Sequence, residues 1–372
     1  MKNNYQVKSL LAINNLSLII SILMSFKLWT TQRDFPVIPV FESLLSFEVL
    51  NGYLLVSLLF GCLVALIFYP KPILALLTLS FIVLLLLQDQ MRWQIWVYLH
   101  SLMIVPFLYA KLRKQDLTIF IAILLIGVYF WGGVHKLNPH FFDLIFHPMM
   151  IDLFNINLSR YQFVAYFIPI AEILIAIGFL FKSTRKLSFY SAIFTHLLII
   201  LWLSPMYRDS NWIIFPMNIA MIYFCYFCFY KGDINFFKFT NKSKSEYLLP
   251  VLALLVITLP LLNKIEKWPY YFSFHLYSGQ GKSLYIIKDE SEFLEESDDF
   301  IKSCQIVKDF NNKESIRVTN WSYNELNVPI PLDERSLVLL LEHFCQRFSD
   351  QTFILSFDIQ SPKGDYKIIE CD

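Results

Sequence analysis

The stretch YFWGGVHKLNPHFF, residues 129–142, lies where the strongly apolar segment from Leu117 to Val134 ends. Two glycines come shortly before Lys136 and allow a neighbouring backbone to approach closely. Asn138 and Pro139 then predict the end of a helix. Because an ionisable side chain at membrane depth is costly, Lys136 is a candidate functional residue. The alternative is that its side chain reaches the headgroups and only anchors the helix end.

The composition is that of a membrane protein. Of the 372 residues, 56% are hydrophobic and only 16% are charged, whereas soluble domains have about 25% charged residues. The mean hydropathy is +0.51. A polytopic α-helical membrane protein is therefore predicted, with the lipid bilayer as its surroundings. The net charge of +1 and the lack of a basic block argue against a nucleic-acid partner.

Apolar windows of about 20 residues predict nine membrane-spanning helices in a domain formed by residues 1–262. The segment between the fifth and sixth windows, residues 139–159, is aromatic but is broken by Pro148. We expect this segment to be interfacial or re-entrant and to lie over Lys136. The nine predicted spans are residues 10–28, 50–69, 72–88, 92–110, 117–134, 161–181, 187–204, 212–230 and 247–262.

The distribution of positive charges predicts the orientation, because cytoplasmic loops are enriched in lysine and arginine. Thirteen such residues lie on the face that includes the N-terminus, and six lie on the opposite face before the tail begins. The N-terminus is therefore predicted to be cytoplasmic, in a plasma (inner) membrane. Lys136 and the C-terminal tail are predicted to lie outside.

Residues 263–372 have the composition of a small soluble domain. Alternating and helical patterns predict an α+β fold, whose role is to cover the outer face or to bind a protein partner. The predicted elements are strands Ser283–Ile287, Ser315–Asn320, Thr352–Ile359 and Tyr366–Ile369, and a helix capped by Asp333 that ends near Phe348.

The six cysteines are divided equally between the spans and the tail. Cys225 and Cys228 have the spacing of a redox motif, but an apolar span favours inert packing. An extracytoplasmic tail would allow one disulfide. The sequence leaves the pair open among Cys304, Cys345 and Cys371.

Ionisable residues inside the spans predict one polar pocket. Its floor is predicted to be His100, Glu172 and His196, and its outer wall Arg92, Lys136, His140, Arg208 and Asp209, with Asn218 continuing the polar signal. Such a lysine could act as a base, and the cations could instead bind an anionic group. The structural alternative is that these side chains only hydrogen-bond between helices. No zinc-binding spacing is present, so no metal is predicted.

The end of the fifth span resembles the membrane domain shared by vitamin K-dependent γ-carboxylases and bacterial HTTM proteins. That family has an aromatic-x-x-Gly-hydrophobic-x-Lys-Leu pattern, matched here by residues 130–137, with a looser likeness over 89–230. The resemblance implies that Lys136 deprotonates a reduced quinone such as menaquinol, with His135 in place of a first lysine. His140 and Glu172 would assist in catalysis. The substrate would contact Arg92, His100, His135, His196, Arg208, Asp209 and Asn218.

The sequence Lys-Leu-Asn-Pro at residues 136–139 also occurs in DoxX- and MauE-like membrane proteins. Two hypotheses follow. The first is a carboxylase-like or quinone-linked membrane oxidoreductase or lyase, with Lys136 as its base. The second is a non-enzymatic scaffold, lipid-binding or assembly protein that acts through its C-terminal domain.

Overall fold

In the computed structural model, the described residues up to 265 form mainly apolar helices. The structure describes residues 5–30, 32–41, 52–109, 114–208, 211–232, 234, 236, 248–287, 306–310, 313–347, 352–356 and 366–370. The helices are α1 (Tyr5–Met24), α2 (Gly52–Phe68), α3 (Pro72–Gln88), α4 (Ile95–Ile104), α5 (Lys114–Lys136), α6 (Pro139–Phe141), α7 (His147–Phe154), α8 (Phe167–Leu180), α9 (Arg185–Leu203), α10 (Phe215–Cys225) and α11 (Leu248–Ala253).

Five helical segments of the described residues are long and apolar enough to cross a membrane. They are Tyr5–Met24, Lys114–Lys136, Gln162–Leu180, Arg185–Leu203 and Trp212–Tyr230. This confirms the prediction of a helical membrane protein in a lipid environment. The other four predicted spans correspond to the shorter apolar helices Tyr53–Phe68, Pro72–Gln88, Ile95–Leu108 and Leu249–Ile265, so the number nine stays a prediction.

Helix α5 lies at the centre of the bundle and packs closely against α8. A Cβ atom built on Gly133 would lie 2.6 Å from the Pro169 carbonyl oxygen and 2.8 Å from Ile173 Cγ1. A Cβ atom on Gly127 would lie 2.8 Å from the Val256 carbonyl oxygen. Because glycine has no side chain, both neighbouring backbones can approach α5 more closely than any other residue would allow.

The segment after α5 folds back as a helix. The Asn138 Oδ1 atom accepts a hydrogen bond from the Phe141 N–H at 3.0 Å and so caps α6. A π-helical turn over residues 142–146 joins α6 to α7. The segment that we expected to lie over Lys136 therefore contributes helical side chains beside that lysine.

The tail contains a five-stranded antiparallel sheet in the order β2-β3-β1-β4-β5. Its strands are β1 (Ser283–Ile287), β2 (Ile306–Phe310), β3 (Lys313–Arg317), β4 (Thr352–Ser356) and β5 (Tyr366–Glu370). The strand predicted over residues 315–320 is wrong in its second half, because a helix, Val318–Leu326, begins there. The predicted cap is confirmed, since the Asp333 carboxylate accepts from the Ser336 N–H at 3.1 Å before helix Glu334–Arg347.

Buried aromatic and polar contacts attach the tail to the helical bundle. The Phe35 ring meets the Trp321 ring edge-on with centroids 4.9 Å apart. The Glu325 carboxylate accepts from the Phe35 N–H at 2.9 Å. At the end of α5, the Asn138 amide donates to the Ser278 carbonyl oxygen at 2.9 Å. The tail therefore lies at the same end of the bundle as Lys136.

Cys345 is disulfide-bonded, whereas Cys62, Cys225 and Cys228 are free thiols. The other two cysteines of the predicted pairing, Cys304 and Cys371, lie outside the described residues.

Candidate functional site

The last turn of α5 brings Lys136 against α8. The Lys136 Nζ atom lies 2.7 Å from Glu172 Oε2, and both side chains are only 7% exposed. The same ammonium group donates to the Gly132 carbonyl oxygen at 3.0 Å. Burying either charge alone in apolar surroundings would be costly, so the ammonium and the carboxylate each provide the counter-charge for the other.

Gly132 provides the space for this ion pair. A Cβ atom on Gly132 would lie 3.3 Å from Glu172 Oε2 and 3.7 Å from Lys136 Nζ. Since Gly132 precedes Lys136 by one helical turn, both residues are on one face of α5. The pair of glycines therefore has two roles, with Gly133 facing the α8 backbone and Gly132 facing the ion pair.

A second polar group lies about two turns before Lys136, towards the N-terminus of α5. The Tyr129 hydroxyl is 2.6 Å from His196 Nε2, and His196 Nδ1 is 2.7 Å from Asn218 Oδ1. The Asn218 amide nitrogen donates to the Ile214 carbonyl oxygen at 2.8 Å, so its Oδ1 atom is free to accept. His196 therefore donates through Nδ1 to Asn218 and accepts a hydrogen bond at Nε2 from the Tyr129 hydroxyl. The three uncharged side chains form a hydrogen-bond chain across three helices.

These two polar groups share one cavity of about 300 Å³, which we name the apolar cavity. Most of its wall is aliphatic or aromatic, including Phe141, Ile145 and Met149 from the segment that follows α5. Phe167 and Phe194 also line it, although they are 70% and 66% exposed on the outside of the bundle. The cavity therefore extends from the polar groups to the surface that faces lipid.

The arrangement favours hydrogen bonding over proton abstraction or anion binding. The charges of Lys136 and Glu172 cancel within the pair. An ammonium group has three N–H donors, and described residues accept from two of those of Lys136. The third donor is available to an uncharged acceptor on a bound molecule.

The structure brings together only some of the residues that we predicted to form one pocket. Lys136, Glu172, His196 and Asn218 line the apolar cavity. His135 lines a different cavity at the end of α5 and stacks on His275, with ring centroids 3.5 Å apart. A step of one residue along a helix turns the side chain by about 100°, which explains this separation.

Arg92 and His100 lie outside the apolar cavity, which corrects their predicted place in its wall and floor. The buried Arg92 guanidinium donates to the carbonyl oxygens of Leu28 and Leu85, both at 2.9 Å. His100 lies 2.8 Å from Asn14 Oδ1 and 3.0 Å from Ser17 Oγ. Both residues hold helices together, as the structural alternative proposed.

The remaining predicted residues lie at the periphery. Arg208 is partly exposed, lies 3.7 Å from the Asp152 carboxylate and covers the Trp202 ring at 5.2 Å. His140 does not line the apolar cavity, and its backbone packs against Gly279 of the tail. Asp209 lies outside the described residues.

Sequence reasoning missed Tyr129 as a site residue. Tyr129, Gly132 and Lys136 are spaced i, i+3 and i+7, which places them along one face of α5. That spacing could have identified the tyrosine. Its contact with His196 could not be read from the chain, because the two residues are 67 positions apart.

Comparisons with known proteins give one family. Residues 114–211, about a quarter of the chain, match the family model of the methylamine utilisation protein MauE. This segment runs from α5 to the residues after α9 and contains Lys136, Glu172 and His196. No curated protein and no solved structure matches the chain.

The family match corrects the resemblance that we inferred from residues 130–137. The assignment to HTTM and carboxylase-like proteins is wrong, because the matching family is MauE. The likeness of residues 136–139 to DoxX- and MauE-like proteins was the closer one. An aromatic-glycine-lysine helix end is therefore too short a pattern to separate these membrane families.

Proposed function

We propose that this integral membrane protein binds a lipid-soluble molecule in its apolar cavity, and that its role there is binding and not catalysis. The observation that carries the proposal is an apolar cavity with two neutral polar groups on its wall and lipid-facing side chains at its rim. A molecule with a long apolar body and an uncharged head fits this distribution. The match to a membrane family other than the carboxylases also supports the non-enzymatic hypothesis.

The polar groups of the cavity favour a particular kind of head. A carbonyl or ether oxygen would accept from the third N–H of Lys136, and a hydroxyl could donate to the Tyr129 oxygen. A charged head would lose its hydration and gain no net counter-charge, since Glu172 already neutralises Lys136 at 2.7 Å. The ligand is therefore uncharged.

The orientation that we predicted from the charges becomes part of this proposal. Disulfides persist in oxidising compartments, so the disulfide of Cys345 supports a tail outside a plasma (inner) membrane. The excess of lysine and arginine on the opposite face supports a cytoplasmic N-terminus. A protein partner of the tail remains a prediction.

Photolabelling would test the proposal. The full chain is reconstituted in phosphatidylcholine nanodiscs with a long-chain alcohol that carries a diazirine, and the labelled peptides are identified by mass spectrometry. We expect label on α8, α9 and residues 139–154. Ala171 lines the cavity at its exposed rim, so Ala171→Phe should reduce that labelling about tenfold, the effect of about 1.4 kcal/mol.

Two variants serve as matched controls. Leu174 lies on the exposed face of the same helix but does not line the cavity, so Leu174→Phe should leave labelling unchanged. Arg208→Gln removes a charge that the sequence predicts in the site but that does not line the cavity, so it should also have no effect. Equal labelling of all exposed helices, or an effect of Leu174→Phe as large as that of Ala171→Phe, would refute the proposal.

A further inference from the structure

The second cavity differs from the first in position and chemistry. It has a volume of about 650 Å³ and lies between the end of α5, residues 263–282 and the start of helix Glu334–Arg347. Its wall is as much polar as apolar, and we name it the polar cavity. Trp93 and Trp268 line it, and such side chains are enriched at membrane–water interfaces.

Positive charge predominates in the polar cavity. Four basic residues line it, Lys264, Lys267, Lys282 and Arg335, against the acidic residues Glu266 and Asp333. Lys282 is already compensated, because its ammonium lies 2.9 Å from Glu266 and 2.5 Å from Glu334. Among the described residues no carboxylate forms an ion pair with the other three cations, and all three are exposed at the rim.

The acidic residues of the cavity are occupied by other groups. Glu266 holds Lys282, and the Asp333 carboxylate accepts from both the backbone N–H and the hydroxyl of Ser336. These hydrogen bonds fix the acidic groups in place. An entering anion would therefore meet the three rim cations with little direct competition from these carboxylates.

A buried polar atom at the inner end of the cavity lacks a partner. His135 is 5% exposed, and its Nε2 atom has no hydrogen bond. The His135 ring lines the polar cavity, so its Nε2 atom is available to a ligand there. In the neighbouring His275 both ring nitrogens are used, by Ser278 and Asn263. Buried polar atoms are rarely left unpaired, so this nitrogen indicates a ligand group.

We propose that the polar cavity binds a phosphate ester that carries a hydroxyl group. The phosphate lies among Lys264, Lys267 and Arg335, and the hydroxyl donates to His135 Nε2. The same chemistry occurs in an anionic phospholipid headgroup such as phosphatidylglycerol and in a free polyol phosphate. This site is separate from the apolar cavity, because neither Lys136 nor Glu172 lines it.

Native mass spectrometry of the full chain in mild detergent tests the proposal. Phosphatidylglycerol is titrated against phosphatidylcholine, and the bound lipids are counted on the wild type and on the triple variant Lys264→Gln, Lys267→Gln, Arg335→Gln. We expect the triple variant to lose at least about tenfold in affinity for phosphatidylglycerol, from the contribution of each cation near a phosphate. Binding of phosphatidylcholine should be unchanged.

A matched control removes three exposed cations at the other end of the bundle, with Lys8→Gln, Lys71→Gln and Lys186→Gln. This variant should bind phosphatidylglycerol like the wild type. If both triple variants lose affinity equally, or if neither does, the site does not exist as proposed. His135→Phe keeps a stacking ring and should weaken binding severalfold, and wild-type affinity in that variant would overturn the role of Nε2.

Competition separates the two sources of the ligand. If glycerol 1-phosphate displaces phosphatidylglycerol from the wild type, the headgroup alone is recognised and a soluble phosphate ester can be the ligand. If it does not, while the triple variant still loses affinity, the lipid is the ligand and its chains contribute to binding. Labelling of the apolar cavity should be the same in all these variants, so either proposal can fail without the other.

Discussion

Two consecutive residues of α5 line the two cavities. Lys136 faces the apolar cavity and has a carboxylate at 2.7 Å, whereas His135 faces the polar cavity and retains an unpartnered nitrogen. In the apolar cavity each ionisable group is paired within the protein. In the polar cavity three cations at the rim remain exposed.

The difference follows from access to water. In the apolar cavity an unpaired charge would cost several kcal/mol, so the protein must supply the counter-charge itself. At the polar cavity the exposed cations remain hydrated and need no internal partner. The ion pair in the apolar cavity therefore favours an uncharged ligand. The exposed cations without ion pairs at the polar cavity favour an anion.

The largest expected effect comes from removing one charge of the Lys136–Glu172 ion pair in the apolar cavity. Lys136→Met leaves the Glu172 carboxylate buried without its partner, so we expect a loss of about 3–5 kcal/mol in the free energy of unfolding. The double variant Lys136→Met, Glu172→Met removes both charges and should lie within about 1 kcal/mol of the wild type. Unfolding in mixed micelles of detergent and SDS measures both values.

The exposed pair Arg208–Asp152 is the control for the buried one. Its atoms are 3.7 Å apart, with the side chains 44% and 31% exposed, so Arg208→Gln should cost no more than about 0.5 kcal/mol. If Lys136→Met is as mild as Arg208→Gln, Lys136 is hydrated and the contrast between the two cavities is lost.

A second, smaller effect sharpens the comparison by testing how closely α5 and α8 must approach to form the apolar cavity. Gly133→Ala would place a methyl group 2.6 Å from the Pro169 carbonyl oxygen, and we expect a destabilisation of about 1–3 kcal/mol. The same substitution at Gly61, where no atom lies within 4 Å of the added carbon, provides the matched control. Unfolding in mixed micelles should show Gly61→Ala to be neutral or slightly stabilising. Equal effects at both positions would mean that α8 can move away without cost.

Much of the fold could be predicted because membrane helices and alternating strands leave local patterns in the sequence. Each predicted window overlaps an apolar helix within the described residues, but only five of these helices are long enough to span a membrane. The helix that begins at Val318 was predicted as strand, because its first residues continue the alternation of β3. Such a boundary depends on packing, here of the buried Trp321, which a local pattern does not contain.

The site could be predicted only in part, because composition identifies ionisable residues but does not show the direction of their side chains. Lys136, Glu172, His196 and Asn218 were predicted and do share a cavity. Arg92 was grouped with them because it lies at a span end, yet backbone carbonyls of other helices take its donors. Whether such a residue lines the cavity depends on its contacts with residues that are distant in the sequence.

The smallest effect tests the polar side of the comparison through pH. Burial lowers the pKa of His275 well below its ordinary value of 6.5, and the nearby His135 and Lys136 lower it further. The unfolded chain therefore binds a proton below about pH 6.5 that the folded protein does not bind. The contribution of neutral His275 to the free energy of unfolding is fully present above that pH and is lost as the pH drops. The loss should be about 1–2 kcal/mol between pH 6.5 and about pH 5.

The loss should be local, because His275 sits between the rings of His135 and Tyr270, with centroids 3.5 Å and 4.1 Å away. Hydrogen exchange in residues 273–280 should therefore accelerate at low pH, after correction for the intrinsic rate, while exchange in α8 stays constant. His275→Phe keeps a stacked ring but cannot titrate, so it should remove this dependence, whereas His147→Gln should leave it intact. A His275→Phe protein with unchanged pH dependence would assign the titration to another group at the polar cavity, with His135 the nearest candidate.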